Sequence, residues 1–101
     1  MLKREMRAIH PGEILREEVL NAHELTLTKA AKLLGVTRTT VSSIIHAKSA
    51  ISPEMCFRIA KVFGGSAQIW ANLQTKYNLQ KAAAKAETFN LKPYHPSTVA
   101  K

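Results

Sequence analysis

Thr26-Leu-Thr-Lys-Ala-Ala-Lys-Leu-Leu-Gly35-Val-Thr-Arg-Thr-Thr-Val-Ser-Ser-Ile-Ile-His46 is the stretch whose reading decides the fold. Ala30, Ala31 and Leu34 share one face at helical spacing. Gly35 ends that helix, because glycine accepts the left-handed conformation that a helix C-terminus often needs. Val36 plugs the corner. Thr37 suits the next N-cap, where its hydroxyl accepts an orphan backbone N–H. Val41, Ile44 and Ile45 then repeat the apolar face, while Arg38, Thr39, Ser42, Ser43 and His46 occupy the opposite side.

Two helices crossing steeply need a small residue at closest approach, and Ala31 stands four residues before the turn glycine. They also need inner plugs, here Ala30, Leu34, Val36, Val41 and Ile44. A short, polar outer face on the second of the pair fits the major groove of a duplex. The spacing therefore predicts a helix-turn-helix. An ordinary helical hairpin shares the amphipathic pattern but does not require the basic, hydroxyl-rich outer face.

Outward from this pair, the chain of 101 residues has room for one domain with a modest core. Its 46% hydrophobic content is that of an ordinary globular protein. No apolar run approaches the roughly 20 residues of a membrane helix, and no hydrophobic segment follows the basic opening as a secretory signal requires. The single cysteine, Cys56, excludes an internal disulfide and fits a reducing cytoplasm, the expected location. Its neighbours suggest a packed core thiol.

Fifteen Lys and Arg against seven Glu give a net charge of +8, which favours polyanions. The charge is uneven: residues 1–24 carry −1 and residues 25–101 carry +9. The helix-turn-helix lies in the positive part. The leading segment has a different electrostatic character and suits a different partner.

Three segments are expected: an N-terminal arm over 1–9, a helical domain over 10–87, and a proline-containing tail over 88–101. His10-Pro-Gly-Glu13 opens a first helix, with proline in its first turn and an acid at its N-terminus. Ile14, Leu15, Val19 and Leu20 form its buried side; Arg16, Glu17 and Glu18 are exposed. The second helix begins near Leu27 with Thr26 as cap, although Lys29 replaces the Glu of a full capping box. That lysine is poor for the helix dipole and good for a phosphate. Ser52-Pro-Glu54 starts a fourth helix with Met55, Ile59, Val62 and Phe63 inward. Gly64-Gly65 breaks the chain, and Ser66 caps a fifth helix that the alanines at 82–84 and 86 extend to about Glu87. Two readings of its apolar side stay open. Trp70, Leu73 and Tyr77 form a dimer face, or they close the core of the monomer with Trp70 as the main plug, and both can hold together. Pro93 and Pro96 forbid a regular helix in the tail, which is either a flexible segment or an arm docked through Phe89, Leu91 and Tyr94.

Catalytic chemistry is absent from the pattern. His10, His23, His46 and His95 have no metal-ligand spacing to a cysteine or carboxylate, there is no glycine-rich phosphate loop, and Ser42 and Ser43 have no adjacent base. No enzymatic activity and no cofactor are expected.

The run Arg7-Ala-Ile-His-Pro-Gly-Glu-Ile-Leu-Arg-Glu-Glu18 resembles the opening of the HigA antitoxins, within the Xre/Cro-like group. Gly35-Val-Thr-Arg-Thr-Thr-Val-Ser42, Ile51-Ser-Pro-Glu-Met55 and Trp70-Ala-Asn-Leu-Gln-Thr-Lys-Tyr-Asn-Leu79 are similar to later segments of that family. The resemblance spans Met6 to Leu79. It implies an all-α, five-helix, lambda-repressor-like domain with a C-terminal extension. It also implies two jobs: neutralising a HigB-type, mRNA-cleaving toxin of RelE-like fold, and binding the operator DNA of its own operon as a homodimer. Ala47-Lys48-Ser49 departs from the family's usual Asn-Gly-Lys turn.

On this reading Thr26, Thr28, Lys29 and Lys48 contact phosphates. Thr37 and Arg38 stand at the groove entrance, Arg38 suited to a bidentate bond with guanine. Thr39, Thr40, Ser42 and Ser43 reach base edges, thymine methyls or phosphate. A two-fold dimer reads half-sites about 34–36 Å apart. The toxin, which holds RNA, is expected to be basic. The acidic face of Glu13, Glu17 and Glu18 is then its candidate contact, against the plain alternative of a solvated helix face.

Overall fold

The computed structural model describes residues 8–96, and among these every regular element is helical. Helix α1 begins as an α-helical turn, Pro11–Ile14, and continues as a π-helical segment, Leu15–Asn21. Its N-cap is His10, whose Nδ1 accepts the backbone N–H of Gly12 at 2.8 Å. The π-helical hydrogen bond spans five residues instead of four. This spacing brings both Leu15 and Leu20 into the core, while Ile14 and Val19 are only half-buried. Arg16, expected outside, is half-buried, and its Nε lacks a hydrogen-bond partner.

Helix α2, Leu27–Leu34, is capped by Thr26 Oγ1, which accepts the N–H of Lys29 at 3.1 Å. The lysine at the capping-box position does not prevent the cap. Gly35 follows in the left-handed region at φ +72°. The Gly35 N–H reaches the Lys32 carbonyl at 3.2 Å and the Val36 N–H reaches that of Ala31 at 3.0 Å, closing the helix with a Schellman pair. Helix α3, Arg38–Ile45, starts on Thr37, whose Oγ1 accepts from Thr40 N–H at 3.1 Å. Helix α4, Pro53–Phe63, and helix α5, Ala67–Ala86, begin on Ser52 and Ser66 in the same manner.

Ala30, Ala31 and Leu34 of α2 meet Val41, Ile44 and Ile45 of α3 in the centre, joined by Leu15, Leu20, Ile51, Met55, Cys56, Ile59 and Trp70. Gly12 lets the start of α1 lie directly on the end of α3, where a Cβ would collide with the backbone carbonyl of Ile44. The fully buried residues of α4 lie in its first two turns. Val62, expected inward, lies in the last turn and is 38% exposed, and Phe63 is half-buried beside the His23 ring.

On α5 the seam is Trp70, Leu73, Gln74 and Tyr77. Ile69 is off it and 56% exposed, and Leu79 is exposed as well. Trp70 is 8% exposed, so its ring is the plug of the monomer core that one of the two readings expects. From Lys81 onward α5 has left the body: every described residue to Pro96 is exposed. The alanine-rich sequence sustains helix there without packing. The expected arm over 1–9 lies outside the described residues through Arg7, and the tail lies outside them after Pro96.

Candidate nucleic-acid interface

Helix α3 presents its outer side to solvent because its inner side is consumed by Val41, Ile44 and Ile45. Between that outer side and the start of α2 lies an open recess of about 290 Å³, lined by Leu27, Arg38, Thr39, Ser42, Ser43 and Lys48. The sequence singled out every one of these except Leu27. Arg38, Thr39 and Lys48 are exposed, and Ser42 and Ser43 are half-buried. No acidic residue lines the recess, and among the described residues Arg38 and Lys48 have no carboxylate partner. Two cations and three hydroxyls thus surround one concave surface, which suits a polyanion with hydrogen-bonding edges.

The remaining candidates are placed less uniformly. Thr26, Thr28 and Lys29 are exposed at the α2 N-terminus. Backbone N–H groups and the helix dipole there favour an anion. Thr37 is occupied by its cap, and its Oγ1 also lies 2.9 Å from Thr40 Oγ1. Thr40 lines a different recess of about 230 Å³, shared with Val36, Ile44, Ser52, Met55 and Arg58. The structure therefore does not bring Thr40 together with Arg38 and Ser42.

The loop after α3 sets the position of Lys48. Ala47 adopts φ +59°, in the left-handed region where glycine or asparagine is usual. The Lys48 N–H reaches the Ser43 carbonyl at 2.8 Å and the Ala47 N–H that of Ile44 at 3.0 Å, so this helix too ends in a Schellman pair. The turn is left-handed at Ala47 although the sequence has no glycine or asparagine there. Behind it, Gln74 Oε1 accepts the Ile51 N–H at 2.8 Å, tying the far side of the loop to α5. His46 lies on the outer side as well. Its Nδ1 is 2.8 Å from the Ser42 carbonyl, which can only accept, so that nitrogen carries the proton.

His10 is 3% exposed behind the loop, with its ring edge-on to Tyr77 at 4.8 Å. Burial lowers its pKa from the ordinary 6.5, against smaller raising effects from the Ser49 backbone and Glu13. Tyr77 packs on His10 within the monomer but stays half-buried, and Leu73 is half-buried against the core. Cys56 is buried, and desolvation raises its thiol pKa.

The acidic face of α1 is real but partly compensated. Glu17 and Glu18 are exposed and Glu13 is half-buried. Glu17 pairs with Arg16 at 3.3 Å and accepts from Asn21 at 3.4 Å. Among the described residues no group of three His, Cys, Asp or Glu is arranged to hold a metal, and no helix is long and apolar enough to cross a membrane.

Residues 15–70 match the family described as helix-turn-helix. A curated relative, virulence-associated protein I of Dichelobacter nodosus, is 40% identical over 89 residues, which are 88% of this chain and 82% of that protein. Antitoxin HigA-1 of Vibrio cholerae is 30% identical over 79 residues, 78% of this chain and 74% of that one. Among solved structures, Pseudomonas aeruginosa antitoxin HigA with the higBA promoter superposes with a TM-score of 0.82 at 38% identity, covering 88% of this chain and 100% of that chain.

Proposed function

The chain belongs to the helix-turn-helix family and, within it, to the HigA antitoxins, and from that premise we propose that it represses its own operon and neutralises a HigB-type toxin. At the coarser level it is a DNA-binding regulator, in a family that is not enzymatic. The observation that carries the finer reading is the recess of Arg38, Thr39, Ser42, Ser43 and Lys48, cationic and free of carboxylates. In the proposed complex α3 enters the major groove and Arg38 takes a guanine edge. Thr37, Thr39, Ser42 and Ser43 meet bases or sugar-phosphate, and Thr26, Thr28, Lys29 and Lys48 hold phosphates. Thr40 faces the neighbouring recess and is a backbone contact at most.

A two-fold dimer, with its contact on the α5 side near Leu73 and Tyr77, matches an inverted repeat. The toxin, a basic RNA-holding protein, meets the exposed Glu17 and Glu18 with Glu13 at the edge. Co-purification with the product of the adjacent gene, followed by an RNA-cleavage assay on the pair, tests the antitoxin reading. A stable pair that does not cleave supports it; a protein that binds upstream DNA but no neighbouring product is a stand-alone regulator instead. Reversing Glu17 and Glu18 to lysine is expected to weaken the pair. Unchanged affinity removes this surface, and loss of affinity on trimming residues 88–101 assigns the contact to the tail.

A further inference from the structure

Leu27 is the one apolar member of a recess whose other lining residues are two cations and three hydroxyl-bearing side chains. It is the first residue of α2, held by the Thr26 cap, and it is half-buried with one side against the core. Its other side borders the recess. The polar members suit phosphate oxygens and base heteroatoms, all of which they can hydrogen-bond. Leu27 can offer none of these a partner and gains only from an apolar group. A B-form duplex presents one such group in its major groove, the C5-methyl of thymine. The recess holds about 290 Å³ and is open to solvent.

We propose that Leu27 is a specificity-determining residue that selects thymine in each half-site by packing on its methyl group. This rests on the reading of the α2–α3 recess as the DNA-facing surface. It assigns base selection to the start of the supporting helix and not only to α3. Removing one buried methyl weakens binding about fourfold, and about fifteenfold when both half-sites of a dimer are affected.

The test compares the upstream DNA synthesised with thymine against the same DNA synthesised with uracil, which lacks only the methyl. Wild-type protein is expected to bind the uracil form several-fold more weakly, Leu27→Met to keep that ratio, and Leu27→Ala to bind both forms equally. Because each ratio is taken on one protein, a destabilised Leu27→Ala still reports, with circular dichroism confirming that it is folded at the assay temperature. Single uracil substitutions across the footprint then place the effect at one position per half-site. A wild-type protein indifferent to uracil overturns the inference and leaves the repressor reading standing. So does a Leu27→Ala protein that keeps the full penalty, since a threonine methyl would then be responsible. Absence of any sequence-specific binding overturns both.

Discussion

Arg58 Nη1 donates to the carbonyl oxygen of Leu34 at 2.8 Å, reaching across 24 residues of sequence from α4 to the end of α2. The same nitrogen lies 3.4 Å from the Gly35 carbonyl, and Nη2 donates to Glu54 at 3.0 Å. Carbonyls at a helix C-terminus lack intrahelical partners, and the dipole there favours a cation. Arg58 satisfies both needs at the turn that sets the angle between α2 and α3.

Arg58→Met is therefore expected to lose about 1.5 kcal/mol, because it leaves a partly buried carbonyl without its charged donor. Glu54→Gln loses less than about 0.5 kcal/mol, since that pair is largely solvated. Urea denaturation of both variants measures the difference. Equal, small losses would show that solvent caps the turn equally well.

Gly12→Ala is expected to lose more than about 3 kcal/mol or to prevent folding, because the new methyl meets the Ile44 backbone carbonyl and not a movable side chain. Thermal unfolding by circular dichroism checks this. A near-neutral Gly12→Ala would mean that α1 does not lie on α3 as described.

Ala47→Gly is expected to stabilise the protein by about 0.5–1 kcal/mol. A left-handed conformation strains alanine by about 1–2 kcal/mol, partly offset by the greater freedom of glycine in the unfolded chain. The gain should appear as a raised urea midpoint with an unchanged slope. Destabilisation would contradict the left-handed turn.

His10 predicts a pH dependence. Its imidazole is neutral in the fold, where Nδ1 accepts the Gly12 N–H, and burial lowers its pKa below the ordinary 6.5. The unfolded chain therefore binds the proton more readily, and stability rises with pH through that window. The contribution is complete above 6.5 and is lost as pH falls through the lowered value. His10→Asn keeps an acceptor for the cap without the titration. Melts between pH 5 and 8 should show a steeper acid-side loss for the wild type, and parallel profiles would remove His10 as the cause.

What the sequence made legible follows from the range of the interactions. Thr26, Thr37, Ser52 and Ser66 are caps whose hydroxyls act within three residues, so local chemistry identified each one. Gly35 was readable for the same reason, since its left-handed conformation closes the helix just before it. Arg58 on Leu34 and Gln74 on Ile51 act across 24 and 23 residues, where a polar side chain gives no sign of its distant partner. The π-helical segment escaped because Leu15, Val19 and Leu20 fit an ordinary helix nearly as well. Periodicity also overstated the apolar sides of α4 and α5. Val62 and Ile69 are 38% and 56% exposed because only one narrow seam of each helix meets the core. Within the candidate site the polar residues were legible by type. Leu27 was read only as the start of a helix.

The central claim is that the outer side of α3 reads base edges. Binding of wild type and Arg38→Ala to the upstream operon DNA and to a scrambled duplex of equal length, by fluorescence anisotropy at one fixed salt concentration, tests it most directly. The account predicts at least about a fivefold loss on the operon DNA, from a lost guanine contact of roughly 1–3 kcal/mol, with a much smaller loss on the scrambled duplex. Equal losses on the two duplexes, or none on either, would contradict it.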